Sequence, residues 1–182
     1  MIFNYNTRQF PIEDKNFAIG DSHTWGWGVE EHEAWPALLN LINLGIRGSS
    51  ADQLVRMSEE IIPHYKPNKI YVLWPNWRRF ELKEQNGFRQ ILPTTKDRIN
   101  LMEKYDENWC LQNFKNQVQK MKDICAKYNV SLTHMSFYDL HPYIDYPDRW
   151  PLNKTKTHYA PLWHTWVAKI ISLDKEFPIA DE

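Results

Sequence analysis

Asn16-Phe17-Ala18-Ile19-Gly20-Asp21-Ser22-His23-Thr24-Trp25-Gly26-Trp27-Gly28 is a short apolar run that breaks into a loop punctuated by glycine. An apolar run that stops at Gly reads as a buried strand with an abrupt end. The chain holds six glycines, and five of them (Gly20, Gly26, Gly28, Gly45 and Gly48) fall in two short stretches. Glycine is costly to order, so such clustering marks places where the backbone turns tightly or admits a ligand.

Working outward, apolar runs suited to strands alternate with helical periods. Residues 34–39 read as a short helix and 41–44 as a second apolar run ending at Gly45. Residues 50–65 carry Leu54, Met57, Ile61 and Tyr65 on one helical face, with Ser49 or Ser50 as the cap and Pro67 as the stop. Residues 69–73, rich in branched and aromatic side chains, read as a buried strand closed by Pro75. Residues 77–100 show no clean period and read as an irregular insertion packed over the body. Residues 107–128 form a helix whose apolar stripe is Leu111, Phe114, Val118, Met121, Cys125 and Tyr128. A strand at 130–137, a proline-bearing loop at 139–156 and a helix at 161–173 follow, with Pro161 suited to a first helical turn.

This alternation, with no hairpin signals noted, predicts an α/β fold: a three-layer α/β/α, flavodoxin-like body around an open parallel sheet of four to five strands. No repeat, low-complexity stretch or linker interrupts it. Residues 1–182 therefore read as a single domain, with the irregular insertion around 77–106. Ligands of such sheets bind at the carboxyl ends of the strands, where both glycine loops and the Trp74-Pro75-Asn76 turn fall.

Composition narrows the function. With 182 residues, 42% hydrophobic and 25% charged, the chain is long enough for one sizeable core. A net charge of −1 argues against an acidic solvating tail or a strongly basic nucleic-acid binder. No apolar run approaches the roughly 18 residues of a membrane span. Residues 1–13 lack the basic start and apolar stretch of a signal peptide, so a cytoplasmic setting is expected. Cys110 and Cys125 share one predicted helix, about 22 Å apart at 1.5 Å per residue, and are expected to be reduced.

Four loops hold candidate chemistry. Ser22, directly after a strand in a glycine-flanked turn, would present its hydroxyl and its own N–H at the sheet edge, as a nucleophile with a built-in oxyanion donor requires. The competing reading is that Ser22 caps the next helix. Gly48, in Asn43-Leu44-Gly45-Ile46-Arg47-Gly48-Ser49-Ser50, offers a bare backbone N–H, or simply makes a tight turn. Asn76 offers a side-chain amide to a developing negative charge, or satisfies backbone groups nearby. His158, just before the last helix, sits where a helix N-terminus keeps an imidazole neutral and able to take a proton. His164, inside that helix, reads as a packed or surface residue.

Together these loops resemble the GDSL or SGNH hydrolase family, in order and spacing, from about Phe17 to Ile171. Gly20-Asp21-Ser22, followed by Thr24, Gly26, Gly28 and Val29, matches its first block. Asn43 to Gly48 is similar to its glycine block, Asn76 to the Asn of its third block, and His158 to its histidine block. The resemblance implies ester hydrolysis through an acyl-enzyme, with Ser22 as nucleophile and His158 as general base. It also implies an oxyanion hole of Ser22 N–H, Gly48 N–H and the Asn76 side chain. No metal or cofactor is implied.

Two departures matter. The family carries an acid three positions before the histidine, and Thr155 stands there. Asp148 or Asp145 from the proline-rich loop can supply it; a backbone carbonyl or Thr155 can orient the ring in a Ser–His dyad; or the chain is a non-catalytic member. Trp74 and Trp77 replace a Gly and an acid of the third block. With Trp25, Trp27 and Trp150 they are expected to rim a cleft, about half of them exposed, where indoles stack on sugar rings or apolar chains. Arg47, Arg78 and Arg79 add guanidinium forks suited to a polar, anionic ester. The partner expected is a small-molecule or carbohydrate ester, with neither nucleic acid nor membrane. The alternatives are a carbohydrate O-acetyltransferase and a non-catalytic carbohydrate-binding module on the same fold. Glu30-Glu31-His32-Glu33 reads as a solvated helix start, and His134 and His141 lack zinc-ligand spacing.

Overall fold

The computed structural model describes residues 16–93, 101, 104–136 and 161–172. Its central sheet has four parallel strands: β1 (Asn16–Gly20), β2 (Ile42–Asn43), β3 (Lys69–Trp74) and β6 (Ser131–Ser136), in the order β2-β1-β3-β6. Phe17 lies opposite Ile42 on one side and Ile70 on the other, and Ile70 lies opposite Leu132. The chain steps from β1 to β2 on one flank and then to β3 on the other. The strand order therefore reverses about β1, the crevice where doubly wound sheets hold their ligands.

Side-chain alternation divides the core. Phe17, Ile19, Ile70, Val72 and Trp74 face one way, onto α3 (Ala51–Tyr65) and α4 (Glu107–Lys127), where they meet Leu54, Ile61, Phe114 and Met121. Ala18, Leu73 and Met135 face the other way, onto α2 (Trp35–Leu38) and α5 (Pro161–Ser172), where they meet Trp35, Trp163 and Val167. Both faces are covered, so the fold is the three-layer α/β/α architecture with a parallel sheet.

The helix ends follow local chemistry. Ser50, in extended backbone, accepts from the Gln53 N–H at 3.3 Å and starts α3. Lys66, with φ 47°, closes it one residue before Pro67. Asp106 caps α4 by accepting from the Trp109 N–H at 2.7 Å. Both cysteines lie buried and unbridged in α4, and burial pushes the Cys125 thiol up to about 11. Among the described residues, no helix is long and apolar enough to cross a membrane.

One expectation is corrected. Within the stretch expected to be irregular, β4 (Phe80–Glu84) and β5 (Gly87–Ile91) form an antiparallel hairpin, with Phe80 opposite Ile91 and Glu84 opposite Gly87. The signal was present. Asn86-Gly87 is a short-range hairpin cue in the sequence; the chain turns at Gln85-Asn86, and Gly87 opens β5 at φ 141°, a conformation side chains disfavour. The hairpin docks on α3 through Arg56 Nη2 to Glu81 Oε1 at 2.8 Å and Gln90 Nε2 to Gln53 Oε1 at 2.6 Å. Phe80 and Ile91 bury a small core of their own with Cys110.

Candidate active site

β1 ends at Gly20, a position where nothing larger fits. A Cβ there would lie 2.7 Å from the Leu73 carbonyl oxygen and would collide with Thr24. Asp21 then turns the chain into α1 (Ser22–Trp25), and its side chain accepts from the His23 N–H at 2.9 Å. The cap is therefore Asp21, not Ser22, and the competing reading of Ser22 falls away. Ser22 is the first residue of this one-turn helix and is 8% exposed. Gly26, with φ 80°, ends the turn by donating its N–H to the Ser22 carbonyl.

Asp21 is the electrostatic centre of the loop. Burial alone would raise its carboxyl. The charge and hydrogen bonds of His23, 3.2 Å away at Nδ1, and the charge of Arg79 outweigh that and hold it far below the usual carboxylate range. Arg79 Nη1 donates to Asp21 Oδ2 at 2.8 Å and to the Ser49 carbonyl at 3.4 Å.

The second loop follows β2 and stays alongside β1, with Ile46 donating its N–H to the Gly20 carbonyl at 2.8 Å. Asn43 braces it: Nδ2 donates to the Thr24 carbonyl and Oδ1 accepts from the Gly45 N–H, both at 2.9 Å. Gly45 sits so close to α1 that a Cβ would lie 2.8 Å from the Thr24 carbonyl carbon. Gly48 is different. It has φ 75°, and nothing lies within 4 Å of its Cβ position. A side chain there would meet open space, so the constraint at this position is the left-handed backbone. Arg47 is exposed and lays its guanidinium on the Trp27 ring.

The third loop follows β3. Asn76 Oδ1 accepts from the Arg78 N–H at 2.9 Å, and its carbonyl accepts from the Arg79 N–H at 2.9 Å. The local reading is thus met by the oxygen end of the side chain. Trp74 is a correction. It was expected to rim a cleft and is 1% exposed, with its Nε1–H donating to His134 Nδ1 at 3.3 Å and its ring edge-on to Phe114. Its place in the strand alternation turns it onto α3 and α4. Trp25, Trp27 and Trp77 are half-buried. Arg78 lies over Trp77 and pairs with Glu107 at 2.7 Å, so its charge is already matched.

Ser22, Gly48 and Asn76 thus sit on the loops leaving three neighbouring strands on the carboxyl edge of the sheet. His158, Asp148, Asp145, Thr155 and Trp150 lie outside the described residues. His164 is packed, accepting from the Trp35 N–H at 3.3 Å. Sequence reasoning missed two residues here. In the sequence Asn43 shows only as the start of a loop and Arg79 only as a cation suited to substrate, and neither spacing nor period signals their bracing contacts. Among the described residues, no cluster of His, Cys, Asp and Glu gathers to hold a metal ion.

No protein-family model matches this chain, and no curated protein matches it. Among solved structures, the chain is similar to a variant of an acetyl xylan esterase from Geobacillus stearothermophilus, at 16% identity and a TM-score of 0.47, covering 93% of this chain and 98% of that one. It is also similar to a GDSL-like lipase from Bacteroides thetaiotaomicron VPI-5482, at 13% identity and a TM-score of 0.44, covering 93% of this chain and 91% of that one.

Proposed function

We propose that this chain is a serine ester hydrolase of the SGNH type, acting on an ester of a small polar or sugar-like molecule. One observation carries the reading: loops bearing Ser22, Gly48 and Asn76 leave adjacent parallel strands across the switch point of the sheet, with the capping duty at Ser22 taken by Asp21. The resemblance of the His158 stretch to the family's histidine block supplies the base.

In the proposed mechanism His158 removes the Ser22 hydroxyl proton as Oγ bonds to the ester carbonyl carbon. The carbonyl oxygen becomes an oxyanion, met by the N–H groups of Ser22 and Gly48 and by Asn76 Nδ2. Collapse breaks the bond to the alcohol oxygen, which leaves with the proton held by His158. A water then loses a proton to His158, attacks the acyl carbon and frees the acid, returning the proton to Ser22. The imidazole is oriented by Asp148 or Asp145, or works with Ser22 as a dyad. Half-buried Trp25 and Trp77 are proposed to flank the substrate, with Arg47 exposed beside Gly48.

The test is hydrolysis of p-nitrophenyl acetate by wild type, Ser22→Ala and His158→Ala. The reading predicts turnover that both substitutions abolish. Acyl transfer to an added sugar in preference to water would identify an O-acetyltransferase. The threonine at 155 favours one other reading, a carbohydrate-binding module; it predicts glycan binding by a wild type that hydrolyses nothing.

A further inference from the structure

The carboxyl ends of β1 and β3 part company after Gly20 pairs with Leu73, and the two loops beyond them carry Ser22 and Asn76. An oxyanion hole assembled from three separate loops works only if its donors keep their mutual positions to a fraction of an ångström. Something has to hold the third loop to the other two.

Arg79 is placed to do so. Its backbone N–H closes the turn that contains Asn76, at 2.9 Å from the Asn76 carbonyl. Its guanidinium donates to Asp21, the residue before Ser22, and to the carbonyl of Ser49, the residue after Gly48. One side chain therefore touches the immediate neighbours of two candidate donors and shares a tight turn with the third. The contact with Asp21 is well shielded, with side chains 21% and 6% exposed. Both contacts come from one nitrogen, Nη1, whose two N–H bonds are held in the plane of the guanidinium and so point in fixed directions, whereas an ammonium on a flexible stem rotates freely.

We infer that Arg79 is a positioning residue for the oxyanion hole, clamping the Asn76 turn to the Ser22 and Gly48 loops. The inference rests on the ester-hydrolase reading above. Arg79 is not proposed to touch substrate. Its effect is on where the donors stand when negative charge develops, so it acts on kcat and leaves substrate binding largely alone.

The test compares wild type, Arg79→Ala and Arg79→Lys on p-nitrophenyl acetate, with thermal melting measured in parallel. Misplacing donors by about an ångström costs up to about 100-fold in rate. Arg79→Ala is expected to lower kcat by about 10- to 100-fold with KM changed less than about threefold, and Arg79→Lys to fall between. Millimolar guanidinium, too dilute to denature, is expected to restore part of the kcat of Arg79→Ala. Arg79→Ala and Asp21→Asn are expected to be strongly non-additive in kcat, because each breaks the same contact. Should Arg79→Ala fail to fold, the kcat-against-KM split of Arg79→Lys decides. Unchanged kcat in a folded variant overturns the inference while the esterase reading stands. So does a KM that rises in step with the loss of melting temperature, with no rescue by guanidinium. A wild type that hydrolyses no ester and takes no fluorophosphonate label overturns the esterase reading and this inference with it.

Discussion

Asn76 has two ends, and the structure allows them to be separated. Oδ1 accepts from the Arg78 N–H and holds the turn; Nδ2 is the candidate oxyanion donor. Asn76→Ala removes both. Losing the donor is expected to cost about 2.7–4 kcal/mol of transition-state stabilisation, or about two to three decades in kcat. Losing the acceptor is expected to cost about 0.5–1.5 kcal/mol of folding stability. Asn76→Asp is the sharper variant. It is nearly isosteric and keeps an oxygen for the Arg78 N–H, so the turn survives. It replaces the donor by an acceptor that repels an oxyanion. The account therefore predicts that Asn76→Asp loses at least as much kcat as Asn76→Ala, with a urea midpoint closer to wild type. Steady-state kinetics on p-nitrophenyl acetate, beside urea unfolding followed by tryptophan fluorescence, read both quantities. An Asn76→Asp protein retaining kcat within about threefold of wild type would refute the reasoning, because losing one oxyanion donor alone costs about 100-fold or more.

Other outcomes follow from particular contacts. Gly48→Ala is expected to cost about 1–2 kcal/mol, the left-handed backbone penalty alone, whereas Gly45→Ala, whose Cβ meets α1 backbone at 2.8 Å, is expected to cost more; chemical denaturation ranks the two. Asp21 has a folded-state pKa below its unfolded value, so its stabilisation is full above about pH 4 and is lost as pH falls through the folded value. Melting temperature between pH 6 and pH 2 should therefore fall more steeply for wild type than for Asp21→Asn, and parallel curves would contradict this. Trp74→Ala is expected to cost about 3–5 kcal/mol by opening a cavity among Phe114 and its neighbours. Trp25→Ala, at a half-buried position beside the candidate nucleophile, is expected to act on KM for the ester substrate.

Much of the fold could be read from the residues. Asn16–Gly20 matches the predicted first strand, and Ala51–Tyr65 and Glu107–Lys127 match helices inferred from their apolar stripes, because continuous periodicity reports directly on what each element packs against. Pro75 bounded β3 correctly, but Trp74 was assigned to the loop beyond it. The alternation Ile70, Val72, Trp74 already put that indole on the core face. The hairpin differs from the expected irregular stretch because residues 77–100 lack a period as a whole while the turn signal is confined to Asn86-Gly87. The one-turn helix α1 has no period to detect; it exists because Asp21 caps it and Gly26 closes it. Ser22, Gly48 and Asn76 were legible as candidates because each follows a strand. The Asp21–Arg79 pair was not, since no spacing rule connects residues 58 positions apart.

The most direct test of the central claim is covalent. Wild-type protein treated with a fluorophosphonate probe should gain the mass of one phosphonyl group, and peptide mapping should put it on Ser22. Label on another residue, or a wild type that stays unmodified while folded, would contradict the account.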